Sequence, residues 1–74
     1  MKERLTNRQF EVLMAIEDFI DTHNYPPSIR ELCIKLNLKS PATVHEHLKN
    51  LKEKGYIYYV EKKFRTIKVL KVKL

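Results

Sequence analysis

Seventy-four residues, 43% hydrophobic and 32% charged, make one small globular domain over 1–74 and exclude both a disordered chain and an extended multidomain one. Burying only about 60% of its unfolded surface, a chain of this size has little volume for an enclosed active site, so a binding module is favoured over an enzyme. The net charge of +6 is uneven, with ten Lys/Arg against three Asp/Glu from Lys39 to Leu74 but five against six before it, and a basic half of this kind suits a polyphosphate partner.

Met1 to Leu5 is a short basic lead. Thr6-Asn7-Arg8-Gln9 has the pattern of a capping box, with Leu5 and Phe10 placed as a hydrophobic staple around the helix start. The spacing of Phe10, Leu13, Ile16, Phe19 and Ile20 predicts a first helix to about Thr22. Glu11, Glu17, Asp18 and Asp21 then form an acidic outer face that should point away from a nucleic acid. His23-Asn24-Tyr25-Pro26-Pro27 cannot stay helical, because consecutive prolines lack amides and push the preceding residue to extended geometry.

Ser28-Ile29-Arg30-Glu31 is a second capping box, opening a short helix with Ile29, Leu32, Cys33 and Leu36 facing inward. Asn37 is placed as its left-handed stop, in the absence of the glycine often seen there. Only Leu38 and Lys39 separate this stop from the next cap, Ser40, so the second and third helices must turn sharply as a helix-turn-helix pair.

In the third helix Ser40 caps, Pro41 fits the first turn where no amide is needed, and Gly55 takes the left-handed stop. Val44, Leu48 and Leu51 share one stripe, while Ala42, His45, Glu46 and Lys49 lie opposite. The free face is rich in hydrogen-bonding groups near the helix N-terminus, the part of a recognition helix that meets base edges in the major groove. The plainer alternative is an ordinary solvated helix face.

Tyr56 to Val60 and Thr66 to Val72 are rich in β-branched and aromatic residues and read as a hairpin. Its tip carries Lys62, Lys63 and Arg65 within reach of a phosphate backbone, and without glycine or asparagine it should form a loose wing. Lysine that merely protects a sheet edge is the alternative. Phe64, at an otherwise polar tip, either folds back on the hairpin or inserts against a sugar. The fold class is therefore α+β, mainly α: a winged helix-turn-helix of three helices followed by a two-stranded β-hairpin wing.

The single Cys33 fits a small buried side chain better than a reactive thiol. His23, His45 and His47 lack zinc spacing; His47 sits beside the apolar stripe as a packing residue, and His45 faces outward as the better contact candidate. No metal, cofactor or catalytic residue is expected, since no phosphate-binding Gly loop or nucleophile and base arrangement is present. Nor is there an apolar run of transmembrane length or a secretory signal, so a soluble cytoplasmic protein with no membrane partner is expected.

Leu5 to Gln9, Tyr25 to Glu31, Ser40 to Leu48 and Lys54 to Ile57 together resemble the N-terminal DNA-binding domain of the LexA repressor family, over about Leu5 to Leu70. The resemblance is specific, because four separated motifs occur in the right order, including the proline pair and the glycine after the third helix. It implies sequence-specific binding to double-stranded DNA at a palindromic operator and repression of DNA-damage-response or phage genes, with a homodimer on the DNA. It places Ser40, Ala42, Thr43, His45 and Glu46 at base-reading positions, and the motif Thr43-Val44-His45 looks more like the Gram-positive branch. Lys39, Lys49, Lys62, Lys63 and Arg65 are the expected DNA-backbone contacts. Full-length members continue into a self-cleaving Ser/Lys peptidase domain, to which nothing here corresponds, so the chain is expected to be either an excised domain or a short complete regulator. The rival reading is a protein-interaction module of the same fold, with Tyr58, Tyr59 and Phe64 as an exposed patch.

Overall fold

Every helix begins where its cap predicts. In the computed structural model, which describes residues 4–63 and 65–70, α1 spans Asn7–His23, α2 Ile29–Lys35 and α3 Pro41–Glu53, followed by β1 Ile57–Tyr58 and β2 Lys68–Val69. The Thr6 hydroxyl accepts the Gln9 amide and the Gln9 carboxamide accepts the Thr6 amide, each at 3.1 Å. Ser28 and Glu31 repeat the exchange at 3.2 and 2.9 Å. Ser40 accepts the Ala42 amide at 3.2 Å, with Pro41 in the first turn.

The two reversals that aim α3 use one device. Asn37, left-handed at φ 56°, lets its own amide reach the Ile34 carbonyl at 3.2 Å and the Leu38 amide reach Cys33 at 2.9 Å. Gly55, at φ 83°, does the same after α3: its amide meets Lys52 and the Tyr56 amide meets Leu51, both at 3.0 Å. These are Schellman closures, which satisfy carbonyls that a helix end leaves bare. Asparagine thus substitutes for glycine in the tight turn, as its place in the sequence predicts.

Val12, Ile16, Leu32, Val44 and Leu51 are wholly buried, with Leu48 and Ile57 beside them, so all three helices and β1 share one core. At seven residues α2 is too short to hold its helix alone and depends on Leu32 planted in that core. Phe10, expected on the inner face, is 47% exposed, while Val12 and Ala15 are buried. Leu13, Ile16 and Phe19 are buried and Ile20 half-buried as the spacing predicts, so the departure is confined to the first turn. Ile20, Ile29, Cys33 and Leu36 are half-buried at the margin of the core.

The hairpin is antiparallel, pairing Ile57 with Val69 and Tyr58 with Lys68. Its strands are shorter than the expected Tyr56 to Val60 and Thr66 to Val72, and Lys71 and Val72 lie outside the described residues. Beyond Tyr58 a side chain takes over from the ladder: the Thr66 hydroxyl accepts the Val60 amide at 2.9 Å and donates to the Val60 carbonyl at 3.2 Å. Left-handed backbone at Lys62 and Arg65, φ 63° and 54°, turns the chain away from strand geometry. The result is the loose wing that a tip without glycine implies.

Candidate nucleic-acid interface

Three apolar side chains anchor α3 from behind, and this anchoring decides what its other side presents. With Val44, Leu48 and Leu51 buried, Ser40, Ala42, His45, Glu46 and Lys49 are exposed and Thr43 is half-buried. The Ser40 oxygen is engaged as the cap acceptor, which leaves its hydroxyl proton for an outside partner. His47 is half-buried as its position beside the stripe predicts, and its Nδ1 is shielded from solvent without a hydrogen-bond partner.

A cleft of about 260 Å³ separates α3 from the wing, and His45, Lys62 and Lys63 line it together. Both lysines are exposed. His45 of α3 and the two wing lysines are therefore presented on one groove. A second groove, apolar at its base, is edged by Arg30, Lys39 and Arg65. Arg30 has no role in the sequence reading beyond filling the capping box; its place in the first turn of α2, on the solvent side, is the signal that would have added it to the cationic rim.

Arg65 differs from the lysines. Its guanidinium donates to Glu31 Oε1 at 2.8 Å and to the Pro26 carbonyl at 3.1 Å, and lies 4.7 Å from the centre of the Tyr25 ring. The guanidinium, expected from charge and wing position to contact phosphate, thus has partners on α2 and on the connector before it. The Ser28 amide, and after it Arg65, hold the Glu31 carboxyl below its ordinary pKa. Phe64 lies outside the described residues.

The aromatic residues of β1 and its flank divide between core and surface. Tyr59 is 9% exposed and burial pushes its phenol pKa up, whereas Tyr58 is 49% exposed. The Lys52 ammonium lies 5.0 and 4.6 Å from the Tyr58 and Tyr59 ring centres and donates to the Tyr59 carbonyl at 3.1 Å. An exposed three-ring patch is thus reduced by the burial of Tyr59. No group of three or more His, Cys, Asp or Glu that could hold a metal occurs among the described residues, and no helix there is long and apolar enough to cross a membrane.

Three helices, a Schellman-closed turn between the last two and a cationic hairpin beside the last helix define a winged helix-turn-helix DNA-binding domain. The chain belongs to the LexA DNA-binding domain family, whose description, LexA DNA binding domain, matches residues 2–66. It is 51% identical over 69 residues to a LexA repressor of Desulfatibacillum aliphaticivorans, covering 93% of this chain and 34% of the relative. LexA repressors of Caldicellulosiruptor saccharolyticus and Clostridium kluyveri are 44% and 43% identical over 70 residues, covering 95% of this chain and 35% of each relative. The chain thus spans about a third of the length of these relatives.

Proposed function

We propose that the domain binds a palindromic operator in double-stranded DNA as one half of a homodimer and represses transcription of DNA-damage-response or phage genes in the cytoplasm. The observation that carries this is the common groove: the exposed face of α3 with His45 on one side, Lys62 and Lys63 of the wing on the other. In this reading α3 enters the major groove, where Ser40, Ala42, Thr43, His45 and Glu46 meet base edges. Lys39, Lys49, Lys62 and Lys63 neutralise phosphates and supply most of the affinity, with little dependence on sequence. A monomer on one half-site binds weakly, so two copies on two-fold DNA give the useful affinity.

The test is selection of bound duplexes from a random pool, reading the symmetry and half-site spacing of what is enriched. Enrichment of a two-fold site supports the reading. Salt-dependent binding with no enriched sequence contradicts it, because phosphate contacts alone would then account for the affinity.

A further inference from the structure

We propose that Arg65 is a positioning residue rather than a phosphate contact: its clasp on Glu31, Pro26 and Tyr25 fixes the angle at which the wing presents Lys62 and Lys63 beside α3. The proposal rests on the DNA-binding reading above and assigns one cation of the wing a different task from its neighbours.

The β-ladder of the wing ends at Tyr58 and Lys68, so the tip beyond it is not held in place by strand pairing. Tyr59 and Ile67 are buried at its base and Lys52 holds the Tyr59 carbonyl at 3.1 Å, but the bonds of Val60 with Thr66, and of Lys63 with Val60 at 3.3 Å, stay within the part of the tip beyond them. Arg65 crosses to the body of the domain, 39 residues back to Pro26 and 34 back to Glu31.

The anchor at the far end is already rigid. Glu31 Oε1, on the third residue of α2, accepts the Ser28 amide at 2.9 Å in the capping box, and the same oxygen accepts Arg65 at 2.8 Å. A carboxylate immobilised by a helix start loses little further freedom when the guanidinium binds. The Tyr25 ring, on the connector that sets the start of α2, adds a cation–π contact. The contacts to Glu31 and Pro26 both use Nη1, so a DNA phosphate approaching the other nitrogens of this guanidinium would not displace Glu31 but would meet the repulsion of its carboxylate. Lys62 and Lys63 carry no such restraint, being exposed on the cleft that they share with His45.

The experiment is anisotropy titration of the wild-type domain, E31Q, R65Q, the double variant and K62A, with and without each clasp substitution, on the duplex enriched by the wild type, at about 50 to 200 mM salt. Glutamine at position 31 keeps an acceptor for the Ser28 amide, as Gln9 does for Thr6. The clasp predicts that E31Q and R65Q each weaken binding about two- to fivefold, that the double variant loses no more, and that K62A costs less in either background than alone. A phosphate contact predicts the opposite sign at Glu31. E31Q would free the guanidinium and remove a negative charge, tightening binding and steepening the salt slope by up to about 0.9, with R65Q and K62A adding independently; that result overturns the proposal.

Backbone amide resonances of the DNA-free domain separate the two readings. If R65Q leaves those of Ser28 to Glu31 unmoved, the clasp is refuted whatever the DNA data show. If the wild type itself shows no salt-dependent binding while those resonances do move, the DNA reading has failed and the clasp loses the function assigned to it.

Discussion

The Lys54 ammonium, at the end of α3, lies 2.7 Å from the carboxamide oxygen of Gln9, 45 residues earlier in the chain. That oxygen also accepts the Thr6 amide at 3.1 Å, and Lys54 reaches the Arg4 carbonyl at 3.1 Å as well. Glu31 and Arg65 have the same relationship at the start of α2. In both cases the third residue of a helix closes the capping box at its own helix start and receives a cation from the basic half of the chain. Helix initiation and tertiary assembly are therefore joined at single oxygen atoms, one holding the end of α3 and the other the wing.

Gln9 should accordingly matter more than a helix cap alone. It is 7% exposed, and its loss removes the acceptor of the Thr6 amide and one of the two acceptors of the Lys54 ammonium. Q9A is expected to lower stability by about 1–3 kcal/mol. Q9E keeps an acceptor for both groups and should stay near wild type. Urea denaturation of both variants checks this, and a Q9A midpoint equal to wild type would refute the shared-oxygen account.

Leu32 gives the seven-residue α2 its hold on the core, with no exposure to solvent. L32A should cost about 2–5 kcal/mol through lost burial and the cavity left behind. Thermal unfolding reads this directly; a loss below about 1 kcal/mol would mean that α2 is held chiefly by its caps and the Schellman turn.

The stop after α3 separates backbone strain from crowding. A Cβ built on Gly55 meets nothing within 4 Å, yet the residue sits at φ 83°. G55A is expected to cost about 1–2 kcal/mol from the left-handed backbone alone. G55N should cost less, because asparagine tolerates this region as Asn37 does at φ 56°. Equal destabilisation by the two in urea titrations would point to crowding instead.

These positions also show what is legible in a sequence. Thr6 with Gln9, Ser28 with Glu31, Ser40 with Pro41, and the stops Asn37 and Gly55 are local features, since each cap or stop acts on amides or carbonyls within a few residues. Helix bounds and the winged-helix class follow from them and from the stripe Val44, Leu48, Leu51. Leu13, Ile16 and Phe19 are buried as their spacing implies, whereas Phe10 on the same stripe is 47% exposed and Val12 is buried, because how far each turn of α1 is covered depends on α2, α3 and β2. Tyr58 and Tyr59 look alike in composition, but the pleat and the core divide them. The partner of Arg65 lies 34 residues away on another element, and charge at a wing tip suggests phosphate before it suggests Glu31. The exposed face of α3 follows from the stripe Val44, Leu48, Leu51, which fixes the opposite side as buried.

Acid should loosen the ties that involve carboxylates. Hydrogen bonding to Lys35 at 2.8 Å, together with its charge, lowers the pKa of Asp18; the Ser28 amide and then Arg65 lower that of Glu31. A carboxylate with a depressed folded-state pKa gives its full contribution above its unfolded value, about 3.9 for Asp and 4.3 for Glu. That contribution is lost as pH falls through the lower folded value. Stability should thus decline below about pH 4, and D18N and E31Q should each flatten that decline. Both groups face solvent, so the effect per site is small; a decline in the double variant as steep as in wild type would assign it to other carboxylates.

The central claim is that the exposed face of α3 reads bases while the wing lysines hold the backbone. The measurement that tests it most directly is the base-preference profile of H45A and of K62A beside the wild type, taken from the same random duplex pool at fixed salt. The account predicts that H45A changes the preference at one position of each half-site by about 1–3 kcal/mol. K62A should weaken binding to all sequences alike and leave the profile unchanged. An H45A profile that superimposes on the wild type, with K62A altering base preference instead, would contradict it.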